Sequence, residues 1–297
     1  MLLFRSAPDV RAFSESLRTA RIGKRIEYCQ RTGSTNDLAL QAAREDAPHG
    51  QVFVAEAQDA GRGRRSRKWE CPLGLGLLFS VIVRPALLAT GGDACAAADS
   101  GWVPLVTGWA CAEALASLSG LKLAAKWPND VVLPCPSPPG WKKLGGVLCE
   151  SAVSAAQGQR RGSCGYVVIG VGLNLNQRAA DLPAQARTPP TSILLETGQP
   201  CARQAVLRAV LERLEELLLE LYGPAAGPAL KQRLVDQLRH WWPAGRNLTL
   251  QTPANGVQGG STVTGAFLGL DEQGRLLIRD GEGKRLVFAD AEIISVL

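Results

Sequence analysis

The stretch Leu73 to Val83, LGLGLLFSVIV, is the longest nearly apolar run in the chain, and it stops at Arg84. It is too short to span a bilayer, and its second half is rich in β-branched and aromatic residues. Leu77 to Val83 therefore reads as a buried strand, which needs other strands beside it and apolar partners on its faces. With 297 residues and 46% hydrophobic content, the chain can supply them from one large core or two unequal ones.

Further strands are expected at Arg25–Tyr28, Val52–Ala55, Leu121–Trp127, 144–150 and 166–174, the last two carrying glycines and joined by a small, polar hairpin loop over 151–163. Helices are expected over 8–20, 38–44 and 102–118. Leu207, Val210, Leu211, Leu214, Leu217, Leu218 and Leu221 recur at helical spacing, and another helix is expected at 227–241. After Trp242-Pro243 the texture changes to short β runs at 247–251, 262–268, 275–279 and 285–289 between glycine-rich turns. That tail predicts a small separate β-barrel. The expected division is thus residues 1–244 and 245–297. Strands and helices do not alternate regularly enough for a doubly wound sheet.

Eight cysteines form no C-x-x-C pair, and there are two histidines, His49 and His240. This argues against a zinc site, a disulfide framework and His-dependent nucleophilic catalysis, and for core thiols in a reducing, cytoplasmic setting. The first residues, MLLFRSAPDVRAF, lack a sustained apolar segment, so no signal peptide is expected. No membrane partner is expected, and there is no room before residue 25 for a separate DNA-binding domain.

The positive charge is concentrated in one place. Arg62, Arg64, Arg65, Arg67 and Lys68 account for all but one unit of the net charge of +6. A general nucleic-acid binder spreads its charge over a face or a helix. Here the sequence GRGRRSRKW, residues 61–69, focuses it on something compact. The Walker pattern is absent, and the dinucleotide fingerprint fails because Ser66 stands where its third glycine belongs. Glycines that admit a phosphate and arginines that grip it are still present. The loop's own residues leave two readings open, a phosphate loop whose like charges leave it poorly ordered when empty and a plain solvated basic loop.

Five segments together decide more. GSTND (33–37), QDAGRGRRSRKW (58–69), KWPNDVV (126–132), KKLGGVLCE (142–150) and VIGVGLNLN (168–176) resemble the biotin protein ligases in order and spacing. The resemblance covers about residues 25–200 and, more loosely, the β-rich tail. It implies an α+β catalytic domain like those of class II aminoacyl-tRNA synthetases and lipoate ligases, a mixed β-sheet flanked by helices, followed by a small C-terminal β-barrel. It also implies an ATP-dependent ligase that makes biotinyl-adenylate and passes the biotinyl group to a lysine of a biotin carboxyl carrier domain. The chain resembles the enzyme-only type, with Mg2+ accompanying ATP and no DNA partner.

Carried over residue by residue, the resemblance implies that Ser34, Thr35, Asn36 and Gln58 contact biotin. Arg62, Gly63 and Arg64 match contacts to biotin and adenylate, and Lys143 matches the lysine that touches both the biotin carboxylate and the α-phosphate. Trp69 and Asn174 match positions near the adenine. Each has a plainer reading: helix capping for Ser34 to Asn36, a surface position for Lys143 beside Lys142, core for Trp69. Lys126 and Asp130 fit either an ion pair or the surroundings of Mg2+, so metal ligands stay unassigned. Two departures stand out. Ser66 replaces a usual glycine, and ADAEI (289–293) replaces a more usual Gly-Glu-Ile. A lipoate ligase shares the fold and the adenylate chemistry, although the long arginine loop and KWPND favour biotin. A non-catalytic biotin-responsive or nucleic-acid-binding regulator is the rival of another class. The state of assembly, a homodimer among the options, is open.

Overall fold

A computed structural model describes residues 2–88, 99, 101–137, 139–153, 164–223, 227–242, 246–252 and 261–296. Seven strands form the main sheet: β1 (Ile26–Thr32), β2 (Val52–Gln58), β3 (Leu77–Val83), β4 (Ala124–Lys126), β5 (Asp130–Pro134), β6 (Trp141–Val153) and β7 (Cys164–Leu173). Their order is β1-β2-β3-β7-β6-β5-β4. β1 and β2 run parallel and every other pair is antiparallel, so the sheet is mixed, as expected.

The period of two in β3 sorts its side chains. Leu77, Phe79, Val81 and Val83 enter the large core, which is closed by α1 (Ala7–Glu15), α3 (Val103–Ser119), α5 (Arg203–Tyr222) and α6 (Gly227–Trp241). Ile82 joins Phe53 and Val168 on the opposite face, under Ala39 and Ala43 of α2 (Thr35–Arg44). Among the described helices only this short one packs on that second face, and part of the face stays open. Ser80, the one polar residue of LLFSVIV, points there.

Most elements fall where the periodicity puts them. The first helix stops at Glu15, however, where the Ser16 amide caps back onto Ala12 and Phe13. The strand expected over Leu121–Trp127 is three residues long, Ala124–Lys126. A short α4 (Ile193–Thr197), β5 and the last strand of the chain have no counterpart among the expected elements. Most of the hairpin loop expected at 151–163 lies outside the described residues. Cys29, Cys71, Cys111, Cys135, Cys149 and Cys201 are free thiols, and burial pushes Cys111 up to about 12, which suits an inert core residue.

The C-terminal strands β8 (Asn247–Gln251), β9 (Thr262–Leu270), β10 (Leu276–Arg279), β11 (Arg285–Phe288) and β12 (Glu292–Val296) pair antiparallel in the order β11-β10-β9-β8-β12. The expected barrel is not closed: β11 and β12 end the sheet on opposite sides. β10 and β11, at four residues each, are short for a strand, and one face of the open sheet is covered by the rest of the molecule. Trp242 stacks edge-on against Phe267 at 5.8 Å. Trp102 and Trp127 donate their indole N–H groups to the Glu272 and Gly274 carbonyls at 2.8 and 3.0 Å. Leu248, Leu250, Phe267, Leu276, Ile278 and Ile293 belong to the same apolar cluster as the main core. Among the described residues no helix is long and apolar enough to cross a membrane.

Candidate functional site

A cavity of about 710 Å3 lies on the sheet face that α2 leaves partly open. Ser34, Thr35, Asn36, Gln58, Arg62, Gly63, Arg64, Trp69, Lys143 and Asn174 all line it, although they come from four distant parts of the chain. Lys126 and Asp130 line it as well.

At one end, Ser34 is the N-cap residue of α2 by backbone conformation, yet its hydroxyl makes no capping bond. Gln58, at the end of β2, does that work: its Oε1 accepts from the Thr35 amide at 2.8 Å and from Thr35 Oγ1 at 3.0 Å. The plain capping reading of the Ser34 hydroxyl therefore fails. Beneath them Ser80 Oγ lies 2.7 Å from Thr35 Oγ1 and 2.6 Å from Asn36 Oδ1. Asn36 Nδ2 donates to Glu150 Oε2 at 2.8 Å, and Arg62 donates to that same oxygen at 2.9 Å and to Asp37 Oδ1 at 2.6 Å.

Two glycines of β7 make room for this arrangement. A Cβ on Gly170 would sit 2.0 Å from Asn36 Oδ1, and one on Gly172 would sit 2.5 Å from the Trp69 ring. Real Cβ contacts do not come so close, so GVG in β7 creates the cavity floor by leaving out side chains.

The arginine loop is a folded hairpin. Gly63 N–H donates to the Arg67 carbonyl at 2.7 Å and Trp69 N–H to the Gly61 carbonyl at 2.9 Å. Arg65 (φ 58°) and Ser66 (φ 57°) both take the left-handed conformation, which a glycine would enter at no steric cost. Arg62 pairs with Asp37 and Glu150, Arg64 and Arg65 with Asp290, and Arg67 with Glu292 at 2.7 Å. Asp290 and Glu292 belong to the C-terminal sheet region, more than 200 residues away in sequence.

Across the cavity, Lys143 Nζ lies 2.5 Å from Asp130 Oδ1, and the buried Lys126 Nζ lies 3.7 Å from Asp130 Oδ2. Burial alone would raise the Asp130 carboxyl. Lys143 and Lys126 outweigh it and hold Asp130 below its ordinary value. Burial in turn lowers Lys126, against the pull of Asp130. Lys142 points the other way, as strand alternation requires, and pairs with Glu196 at 2.9 Å outside the cavity. Lys126 and Asp130 are thus an ion pair shared with Lys143.

Asn174 is committed to scaffolding as well. Its Nδ2 donates to the Thr191 carbonyl at 3.1 Å, and its Oδ1 accepts from Gln177 at 3.1 Å. These bonds hold the segment 174–192, which brings Gln185, Arg187 and Thr188 to the cavity rim. Trp69 contributes its ring, with Lys143 Nζ 5.9 Å from the centroid. Among the described residues no group of three His, Cys, Asp or Glu side chains could hold a metal ion. Three carboxylates line the cavity: Asp130 and Glu292 are each held by two cations and Glu70 stands exposed, so the described lining offers no cluster of carboxylates that fits a protein-held divalent ion.

The residues the sequence reading missed are Ser80, Glu150, Gly170, Gly172, Asp290, Glu292 and Arg187. Ser80 went unremarked, although it is the lone polar residue of an apolar strand, and the two glycines lie within a quoted motif. Nothing local in the sequence ties Asp290 or Glu292 to the loop.

Residues 28–174 match the biotin/lipoate A/B protein ligase family, and residues 255–294 match the biotin protein ligase C-terminal domain. The biotin–acetyl-CoA-carboxylase ligase of Mycobacterium tuberculosis is 30% identical, over 97% of this chain and 96% of its own length. That of Paracoccus denitrificans is 32% identical, over 86% and 95%. A solved biotin protein ligase from Aquifex aeolicus, in complex with biotin and ATP, superposes with a TM-score of 0.67 at 26% identity, covering 91% of this chain and 98% of that one.

Proposed function

This chain belongs to the biotin protein ligase family, and from that premise we propose the part each cavity residue plays. The chain is an ATP-dependent ligase that activates biotin as biotinyl-adenylate and transfers the biotinyl group to a carrier lysine. In the first step a biotin carboxylate oxygen bonds to the α-phosphorus, the α–β anhydride breaks and pyrophosphate leaves. In the second, the carrier amine attacks the acyl carbon, loses a proton and expels AMP.

Biotin's ureido ring occupies the end bounded by Ser34, Thr35, Asn36 and Gln58, where donors and acceptors are fixed by Ser80 and Glu150. Its apolar part runs beside the β7 glycines, which line the cavity with Asn36 and Trp69 packed against them. The carboxylate reaches Lys143. Arg62, Gly63 and Arg64 close over the carboxylate and α-phosphate, where two anions must meet and positive charge is needed most. Trp69 and Asn174 bound the adenine, Trp69 by its ring face and Asn174 by holding the neighbouring segment. Mg2+ enters as part of the ATP substrate. Residues 1–244 carry the adenylation chemistry, and 245–297 serve mainly the transfer step. The partner is a biotin carboxyl carrier domain.

The observation that carries these roles is that Lys143, Asp130, the arginine loop and the Ser-Thr-Asn turn enclose one cavity. Biotin-dependent exchange of labelled pyrophosphate into ATP tests it. Exchange with biotin and none with lipoate is expected, and exchange driven by lipoate would overturn the assignment of the pocket.

A further inference from the structure

Asp290 lies in the turn between β11 and β12, yet its carboxylate touches the tip of the arginine loop. It accepts from Arg64 Nη2, from Arg65 Nη2 at 3.0 Å and from Arg65 Nε at 3.4 Å. The other terminal nitrogen of Arg64 donates to Asn129 Oδ1 at 3.2 Å. The cation assigned above to the α-phosphate is thus gripped from two sides, by the β4–β5 turn and by the C-terminal sheet.

Two features make this more than a surface ion pair. Arg64 and Arg65 sit in a tight turn with Arg65 in the left-handed region, φ 58° and ψ 42°, and these two neighbours share one carboxylate. Ser66 follows it there, at φ 57°. Left-handed geometry is unfavourable for both residues, so the loop tip is held by what its side chains grip. Furthermore, a guanidinium carries five N–H donors. Asp290 and Asn129 take one each, which leaves donors of Arg64 free for phosphate oxygens.

We propose that Asp290 is a positioning residue that latches the loop tip to the C-terminal sheet, keeping Arg64 over the cavity and retaining the acyl-adenylate until the acceptor amine arrives. It acts through Arg64 and Arg65 and touches no reacting atom. A carboxylate between two adjacent guanidinium groups also relieves their mutual repulsion. The inference rests on the functional reading above.

The test uses the full-length chain with Asp290→Asn and Asp290→Glu. Biotin-dependent pyrophosphate exchange in the unaltered protein is the control on that reading, and its absence would remove the reading and the latch together. Given exchange, adenylate formed from labelled biotin is followed as it leaves the protein during rapid filtration. Asp290→Asn is expected to release it about three- to tenfold faster. Trypsin should also cut within 62–68 sooner, with little change in the melting curve. Asp290→Glu should restore both. If Asp290→Asn cannot be obtained folded, Arg65→Gln removes the other end of the pair and should speed release similarly. Normal exchange with unchanged release overturns the latch. So does slower release, which would mean that Asp290 competes with phosphate for Arg64.

Discussion

Replacing Lys143 with methionine removes the ammonium and keeps most of the side-chain stem. In the structure that ammonium sits 2.5 Å from Asp130 Oδ1 and lines the cavity with the arginine loop. A cation aimed at the charge that develops as carboxylate meets phosphate stabilises the transition state by about 3–4 kcal/mol, or roughly a hundred- to a thousandfold in rate. There is a second cost. Asp130 is buried and would keep only Lys126, at 3.7 Å, so folding should lose about 1–3 kcal/mol. The sign with pH follows from the depressed Asp130 carboxyl. The stabilisation is present above the ordinary carboxylate value, about 3.9, and is lost as pH falls through the lower folded value. The stability gap between wild type and Lys143→Met should therefore be widest near neutral pH and close in acid. Pyrophosphate exchange measures the first effect and urea unfolding at several pH values the second. Lys142→Ala is the comparison. Its ammonium pairs with Glu196 outside the cavity and is 41% exposed, so exchange should stay within about twofold of wild type. Folded Lys143→Met exchanging at the wild-type rate, or Lys142→Ala falling as far, would refute the assignment.

Gly170→Ala puts a Cβ 2.0 Å from Asn36 Oδ1, so biotin affinity should drop by about tenfold or more with the fold retained; calorimetric titration giving wild-type affinity would count against the floor role of Gly170. Ser66→Gly relieves a left-handed serine and should raise stability by about 0.5–1 kcal/mol, roughly 2 °C in a chain this long; a melting point that stays put or falls would show that the residue is unstrained. Burial depresses His49 to about 4, with Arg21 and Arg84 acting in the same direction against Glu215, while its Nδ1 accepts from the Arg84 amide at 3.1 Å. Its stabilisation is complete above the ordinary histidine value of about 6.5 and is lost as pH falls toward 4, by up to ~3 kcal/mol. NMR titration of the histidine ring should show the low midpoint, and His49→Gln should flatten stability between pH 6.5 and 4.

The sequence alone determined the strands and helices whose burial follows from local period. LLFSVIV had to be a covered strand, and the leucine spacing of 207–221 had to be a helix, because each pattern buries its apolar atoms in only one way. It also marked ten candidate site residues through the motifs that carry the resemblance, and all ten line one cavity. Three things were left to the tertiary structure. The C-terminal strands have hairpin texture, but whether their sheet closes depends on what packs against it, and Trp102 and Trp127, which bond to its turn, belong to distant segments. Lys142 and Lys143 are equivalent as neighbours in a sequence, and only the strand's orientation in the sheet sends one into the cavity and the other to Glu196. The arginine loop reads as a run of like charges that should repel one another. Its order comes from Asp37, Glu150, Asp290 and Glu292, which the fold gathers around it. A counter-ion more than 200 residues away leaves no local trace, because the energy of an ion pair depends on distance in space and not along the chain.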